Sequence, residues 1–361
     1  MSEATPVVQL AQLRARIAAF ARGGRYDLAI GLLGELARVD LALGLAADGV
    51  QRARQAVQLA DERGEPSAGP LIVLAATLLA ADSPDAAIDA CALAIERTRS
   101  TERPRVELLA RLVGGAAQRR ANRLAAARTL LDSARGAAAR IGETRLAALA
   151  LAELAWIDLA EDRPDAAATC FEFAARFFAH GHGDGDADAE LDAGALATAC
   201  WIVAGDDTGV DEFCKRARAA KRPELAAYVD GVVAELALRR NSPQMRDAIA
   251  RAAASAEAAR DANALAHALS ARARLRQART SLDPADRARH LEAGIELALA
   301  LDRRRAGAEL GTLMIALVED AARTRTPPAL DAIARLAAAI EHVGDASLAD
   351  LAGAVLAEVA R

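Results

Sequence analysis

Apolar residues recur at helical spacing along almost the whole chain, and no run of β-branched or aromatic residues alternates with the period of two that a strand requires. The pattern predicts an all-α protein. Breakers divide it at Gly23-Gly24, Gly64 to Pro70, Ser83-Pro84, Gly142, Arg163-Pro164, Gly181 to Gly185, Gly205 to Gly209, Arg222-Pro223, Ser242-Pro243, Asp283-Pro284, Pro327-Pro328 and Gly344. Helices of about 14–18 residues fit between them, with connections short enough for antiparallel neighbours. Pro84, Pro164 and Pro284 stand where a first helical turn starts, a position that needs no N–H donor, and each has a capping Ser, Asp or similar polar residue within the two preceding positions.

A repeat runs beneath this pattern. Ala87-Cys91-Ala94, Ala127-Leu131-Ala134 and Ala167-Phe171-Ala174 share an Ala-x3-bulky-x2-Ala spacing and follow one another at a constant interval of about forty positions. Two helices approach closely only where one of them presents a small side chain, and the bulky residue between the alanines fills the adjacent hole. A second marker, an acidic residue expected to open the preceding helix, recurs with nearly the same period at Asp61, Glu102, Glu143 and Asp184. Together the markers predict stacked helix pairs in one continuous array over residues 1–361, an architecture that builds binding surfaces more readily than catalytic pockets.

Gly24-Arg25-Tyr26-Asp27-Leu28-Ala29 resembles the second-helix opening of the tetratricopeptide repeat, G-x-Y-x-x-A. The same alignment fits Asp162 to Ala167 with Phe171 and Ala174, places Leu151, Leu154 and Ala155 at the family's large, large and small positions, and holds again at Ala332, Leu336 and Ala339. Phrases such as Ile141-Gly142-Glu143-Thr144-Arg145 look like the long helical repeats of bacterial signal-transduction ATPases and large transcription activators, whose arms sense signals or recruit effectors. The resemblance implies a right-handed α-solenoid of eight or nine tetratricopeptide-like pairs, with first helices lining the inner surface. No G-x-x-x-x-G-K-[ST] loop and no helix-turn-helix accompanies it.

Composition narrows the function classes. The net charge of −5 lacks the basic excess of nucleic-acid binders, so neither DNA nor RNA is expected as a partner. No stretch of about eighteen apolar residues occurs, and Met1 to Pro6 has no basic region ahead of an apolar core; no membrane partner and a cytoplasmic location are expected. Cys91, Cys170, Cys200 and Cys214 are too far apart for a C-x-x-C site and are expected as free thiols.

Candidate chemistry is sparse. Asp206-Asp207-Thr208-Gly209-Val210-Asp211 resembles a degenerate magnesium motif of terpenoid synthases, yet the second metal motif of that family is missing, and acidic residues also favour a helix start. His180 to Asp188 alternates His, Gly and Asp, but counting from Asp184 the sixth and twelfth positions are Ala189 and Ala195, where a calcium loop needs Gly and Glu. An acidic connector is the plainer reading. His267, His290 and His342 stand apart from other ligand types, and the basic run Lys215 to Arg222 lacks interleaved aromatics for base stacking. No catalytic residue, metal or cofactor is expected; an all-α metal-dependent enzyme is a remote alternative.

The expected activity is therefore that of a non-catalytic scaffold or adaptor binding an apolar segment or amphipathic helix of a partner. By the family alignment Leu109, Leu112, Leu149, Ala152, Trp156 and Leu159 face the groove, with Arg119 and Arg120 at its edge. Phe173 and Phe177 share a second helix face that packing does not require. The few asparagines, Asn122, Asn241 and Asn263, run against the asparagine clamp used by peptide-pheromone receptors of this fold. An alternative is a sensor holding a small molecule in the aromatic stretch from Trp156 to Tyr228.

The segment Ala346 to Ala360 reads as a capping helix, apolar around most of its circumference through Leu348, Leu351, Val355, Leu356 and Val359; its alanines are only mildly hydrophobic, so an ordinary soluble cap is the plainer reading, and docking on a second copy or on a partner chain is the alternative. Light scattering on the intact chain and on one carrying Leu351→Glu and Val355→Glu separates the two, a self-docking cap giving a dimer that the substitutions dissociate. A monomer in both removes the docking role.

Overall fold

The computed structural model describes residues 26–42, 45–63, 67–98, 104–180, 186–260, 262–301, 310–311, 313, 334–340 and 353. Every regular element among them is helical: α1 (Tyr26–Ala42), α2 (Ala46–Glu62), α3 (Ala68–Ala80), α4 (Pro84–Thr98), α5 (Pro104–Arg120), α6 (Leu124–Ile141), α7 (Thr144–Ala160), α8 (Pro164–Ala179), α9 (Ala187–Ala204), α10 (Val210–Ala219), α11 (Pro223–Arg239), α12 (Met245–Ala259), α13 (Ala264–Thr280) and α14 (Pro284–Leu299). Two compact units divide the chain, Met1–Ala193 and Gly194–Arg361, the boundary falling within α9. The segment Ala346 to Ala360 lies outside the described residues apart from Gly353, as do Glu102, Asp184 and His342.

In the first unit α1 packs on α2, α3 on α4, α5 on α6 and α7 on α8, and each first helix also touches the next first helix. The second unit repeats this with α11 on α12, α13 on α14 and α11 against α13. This is the stacking of a tetratricopeptide-like α-solenoid. Its seams are the alanine markers: Ala87, Ala94, Ala127, Leu131, Ala134, Ala167, Phe171 and Ala174 are fully buried, and Cys91 nearly so. A further copy precedes them in α2, where the same spacing falls on Ala53, Val57 and Ala60. Its valine in place of a larger residue, and the shorter step from Ala53 to Ala87, hide it from a search at the longer period.

The turns carry a third periodic mark. Asp82, Asn122 and Asp162, each one repeat from the next, take left-handed conformations with φ of 57°, 58° and 58°. Each follows a first helix and lets the chain close a C-cap in which Ser83, Arg123 and Arg163 donate their backbone N–H to Leu78, Gln118 and Asp158 at 2.9, 2.8 and 2.9 Å. Asx side chains tolerate this conformation better than most non-glycine residues. In the second unit Asn241, after the first helix α11, and Lys221, after α10, also take positive φ, 49° and 59°.

Two sequence readings are corrected. Tyr26 opens a helix that packs on both α2 and α3, as α3 packs on α4 and α5, so α1 holds a first-helix position although its opening matches the second-helix motif. Asp61 lies in the last turn of α2, where it pairs with Arg97 at 2.9 Å, because α2 runs on to Glu62. Glu143 directly precedes α7 and pairs with Arg105 at 2.9 Å.

Gly115 shows how tight the seam is. A Cβ there would lie 2.5 Å from Cγ of the fully buried Leu131. Gly115→Ala should therefore destabilise the protein by about 1–2 kcal/mol, overpacking outweighing a helix-propensity gain of up to about 1 kcal/mol. Gly136 in α6 has only Arg140 Nη1 nearby, at 3.7 Å, so Gly136→Ala should stabilise by about 0.5–1 kcal/mol. Chemical denaturation of the two variants checks the opposite signs.

Candidate partner-binding surface

Helix α7 starts where Gly142, with φ of 73°, ends α6 in a left-handed cap. Its buried face is broad, taking Leu146, Ala147, Ala148, Ala150, Leu151, Leu154, Ala155, Ile157 and Asp158. Leu149, Ala152, Glu153 and Trp156 are left on one outward stripe, since steps of three and four positions stay on one side of a helix. Leu149 and Trp156 are each 38% exposed. Trp156 is also anchored from below, its ring meeting the buried Phe171 of α8 edge-on, with centroids 5.4 Å apart and planes at 83°.

The repeat register relates this stripe to α3 and α5. Ala76, Ala116 and Trp156 are equivalent, as are Leu79, Arg119 and Leu159, so the outward side chain grows from methyl to indole along the first unit. One ion pair crosses the face: Arg119 Nε donates to Glu153 Oε2 at 2.7 Å. Glu153 was absent from the sequence-derived site, although its place between Leu149 and Trp156 on one face was a usable signal.

The remaining expected residues separate. Leu112 is buried in the α5–α6–α7 core, and Leu109 is half-buried against the same cluster, which closes Leu112 to a partner. The physical reason is that α5 is covered by α4, α6 and both neighbouring first helices. Arg119 and Arg120 are engaged within the protein, the latter donating to Leu79 O at 2.8 Å and Asp82 Oδ1 at 2.9 Å. Ala152 and Leu159 are half-buried. Phe173 and Phe177, 46% and 38% exposed, belong to α8, with the Arg176 guanidinium 5.6 Å from the Phe173 centroid.

Beneath the stripe lies a buried carboxylate. Asp158 accepts from Arg128 at 2.8 Å and Arg163 at 2.6 Å, and the Cys170 thiol donates to it at 3.7 Å. Burial opposes the charge on Arg128, but Asp158 and Glu161 outweigh it and push its pKa up. Burial, seconded by the Asp158 charge, raises the Cys170 pKa. Burial also pushes Cys91 up to about 12 and Cys200 to about 11, and Cys214, where Asp230 adds to burial, to about 11. Such thiols stay protonated at neutral pH and make poor nucleophiles.

The other candidates take structural places. Asp206 Oδ1 accepts from Thr208 N at 3.0 Å and Thr208 Oγ1 at 2.7 Å, forming a turn ahead of α10 and holding its carboxyl below the usual range. Asp186 caps α9 through Ala189 N at 3.1 Å and pairs with Arg145 at 3.0 Å. Arg218 and Arg222 of the basic run reach Asp230 at 3.1 Å and Glu224 at 2.5 Å. A cavity of about 310 Å³ opens between α12 and α13, lined by Ala253, Ala256, Glu257, Ser270, Ala273 and Arg274 among others, with no aromatic residue. Among the described residues no three His, Cys, Asp or Glu side chains group as metal ligands, and no helix is long and apolar enough to cross a membrane.

No family model and no curated protein matches the chain. Solved structures do. The apo form of the quorum sensor NprR from B. thuringiensis is 11% identical, aligned over 98% of this chain and 83% of that one with a TM-score of 0.47. The P58(IPK) TPR domain is 15% identical over 91% and 98%, with a TM-score of 0.24. The Naa15/Naa10 complex bound to HypK-THB is 13% identical over 97% and 75%, with a TM-score of 0.19.

Millimolar magnesium, calcium or zinc should leave the melting temperature unchanged, whereas a specific site at ~100 times its dissociation constant would add about 2.7 kcal/mol. A saturable rise would restore the carboxylates near Asp206 or Asp184 as ligands.

Proposed function

We propose that the protein is a non-catalytic scaffold that captures an apolar segment or amphipathic helix of a partner on the outward face of α7. The observation that carries this reading is Trp156, which is 38% exposed yet seated on the buried Phe171 at 5.4 Å. A large aromatic pre-positioned in this way loses little side-chain entropy on binding and can fill a partner's pocket. Leu149 and Ala152 extend the apolar contact along the helix. The Arg119–Glu153 pair is internally neutral, so the face asks for no charge on the ligand. Leu112, Arg119 and Arg120 leave the contact surface, and Phe173 and Phe177 form a separate stripe on α8.

The test is quantitative capture from the native cell, with wild-type and Trp156→Ala baits compared by mass spectrometry. Loss of a hot-spot aromatic costs ~2 kcal/mol or more, so a direct partner should fall at least about tenfold with the variant while circular dichroism stays unchanged. If every captured protein is recovered equally by the folded variant, Trp156 is not the anchor. Phe173→Ala with Phe177→Ala then tests the α8 stripe in the same format.

A further inference from the structure

Helices α7 and α13 are both 17 residues long, and in the same register from their first residues Arg274 and Gln277 of α13 stand where α7 has Leu154 and Ile157. In α7 these two side chains are buried in the core shared with α5 and α6. In α13 they are polar and part-buried, and they line the cavity of about 310 Å³ against α12. The α12 side is formed by Ala250, Ala253, Ala254 and Glu257, whose steps of three, one and three keep them on one helix face. A seam that leucine and isoleucine fill between α6 and α7 is thus open between α12 and α13, with Ala256 and Ala273 as its buried floor.

The polar groups at this opening carry both signs of charge and are not closed on one another. Arg274 donates to the neutral Oε1 of Gln277 at 3.2 Å, while Glu257 Oε2 lies 3.9 Å from its guanidinium, beyond hydrogen-bond range. The other oxygen of Glu257 pairs with Arg260 at 3.1 Å. The side chains of Arg274 and Glu257 are 35% and 54% exposed, so a solute can reach both. Deeper in, the buried Ser270 donates its hydroxyl to Ala266 O at 2.9 Å, and its oxygen can still accept. A cation and an anion therefore stand side by side over an alanine surface, and their opposite charges leave no net attraction for a simple anion.

We propose that the cavity between α12 and α13 binds a free α-amino acid with an aliphatic side chain, its carboxylate on Arg274 and the Gln277 amide, its ammonium on Glu257 and its side chain on the alanine floor. A ligand of one charge satisfies one rim residue and is repelled by the other, whereas an α-amino acid holds both charges on a single carbon and meets the two at once. Guanidinium takes carboxylate in bidentate fashion, which fixes the orientation. The volume stands near the lower end of small-molecule sites, which begin at about 300 Å³, and the methyl groups lining it reward an apolar side chain without offering a ring to stack on. The site shares no residue with the α7 stripe and does not depend on its role.

Equilibrium dialysis of the full chain against radiolabelled leucine, isoleucine and valine tests this. Saturable retention of at least one of the three is expected. For the leucine site, unlabelled isocaproate, which lacks the ammonium, isoamylamine, which lacks the carboxylate, and glycine, which lacks the side chain, should each compete at least tenfold more weakly than leucine. Arg274→Leu, which restores the residue type of α7, and Ala253→Leu, which narrows the opening, should each reduce affinity at least tenfold while circular dichroism stays unchanged. No retention of any of the three up to millimolar concentration overturns the proposal, as does competition by isocaproate, isoamylamine or glycine equal to that of the amino acid retained. These wild-type comparisons decide it even where a variant fails to fold. Unchanged affinity in both folded variants overturns it as well.

Discussion

The structure depends on how closely neighbouring helices can approach. At the α5–α6 seam a small residue on one helix receives a larger one from the next: Gly115 lies beneath Leu131, with no room for a methyl group. Ala155 and Phe171 stand at the equivalent positions one repeat on, and both are fully buried. Because each pair is held by its neighbours in this way, the array can extend without a central core, and its outer faces remain free to vary. The change from Ala76 through Ala116 to Trp156 is such a variation.

Buried carboxylates add a polar layer to this packing. Asp40 accepts from Arg52 at 2.5 Å, Asp158 from Arg128 and Arg163, and Asp230 from Arg218, Arg251 and Ser255. Each lies on a first helix and is at most 4% exposed. Removing one partner of such a pair typically costs about 3–5 kcal/mol, while its net worth against an apolar pair is small. Their effect is to set the register between helices: Arg128 joins α6 to α7, and Asp230 joins α10, α11 and α12. Two arginines of the basic run from Lys215 to Arg222 are used in the same way, Arg218 and Arg222 reaching Asp230 and Glu224 of α11.

The two units present different first-helix faces. In the first unit α3 has no charged residue and α7 exposes Leu149 and Trp156, so burial of apolar area is the attraction on offer. In the second unit the α11–α13 face is rich in guanidinium.

Helical class, most breakpoints and the alanine seams were legible in the sequence, since each follows from local rules: apolar spacing, proline at a first turn and small residues at a fixed interval. The left-handed turn at Asp82, Asn122 and Asp162 was equally periodic, but Asp and Asn occur in many other settings and do not announce a positive φ. Which apolar residues stay exposed was decided by tertiary packing. Leu112 and Trp156 both read as groove residues, yet a first helix in a stack is covered on several sides, and only the neighbours on each flank determine which part of its circumference remains open. The same holds for charge. Sequence shows that Arg119, Arg120 and Arg276 are cationic, but Glu153, Asp82 and Glu235 reach them from distant points of the chain, across contacts that only the folded protein creates.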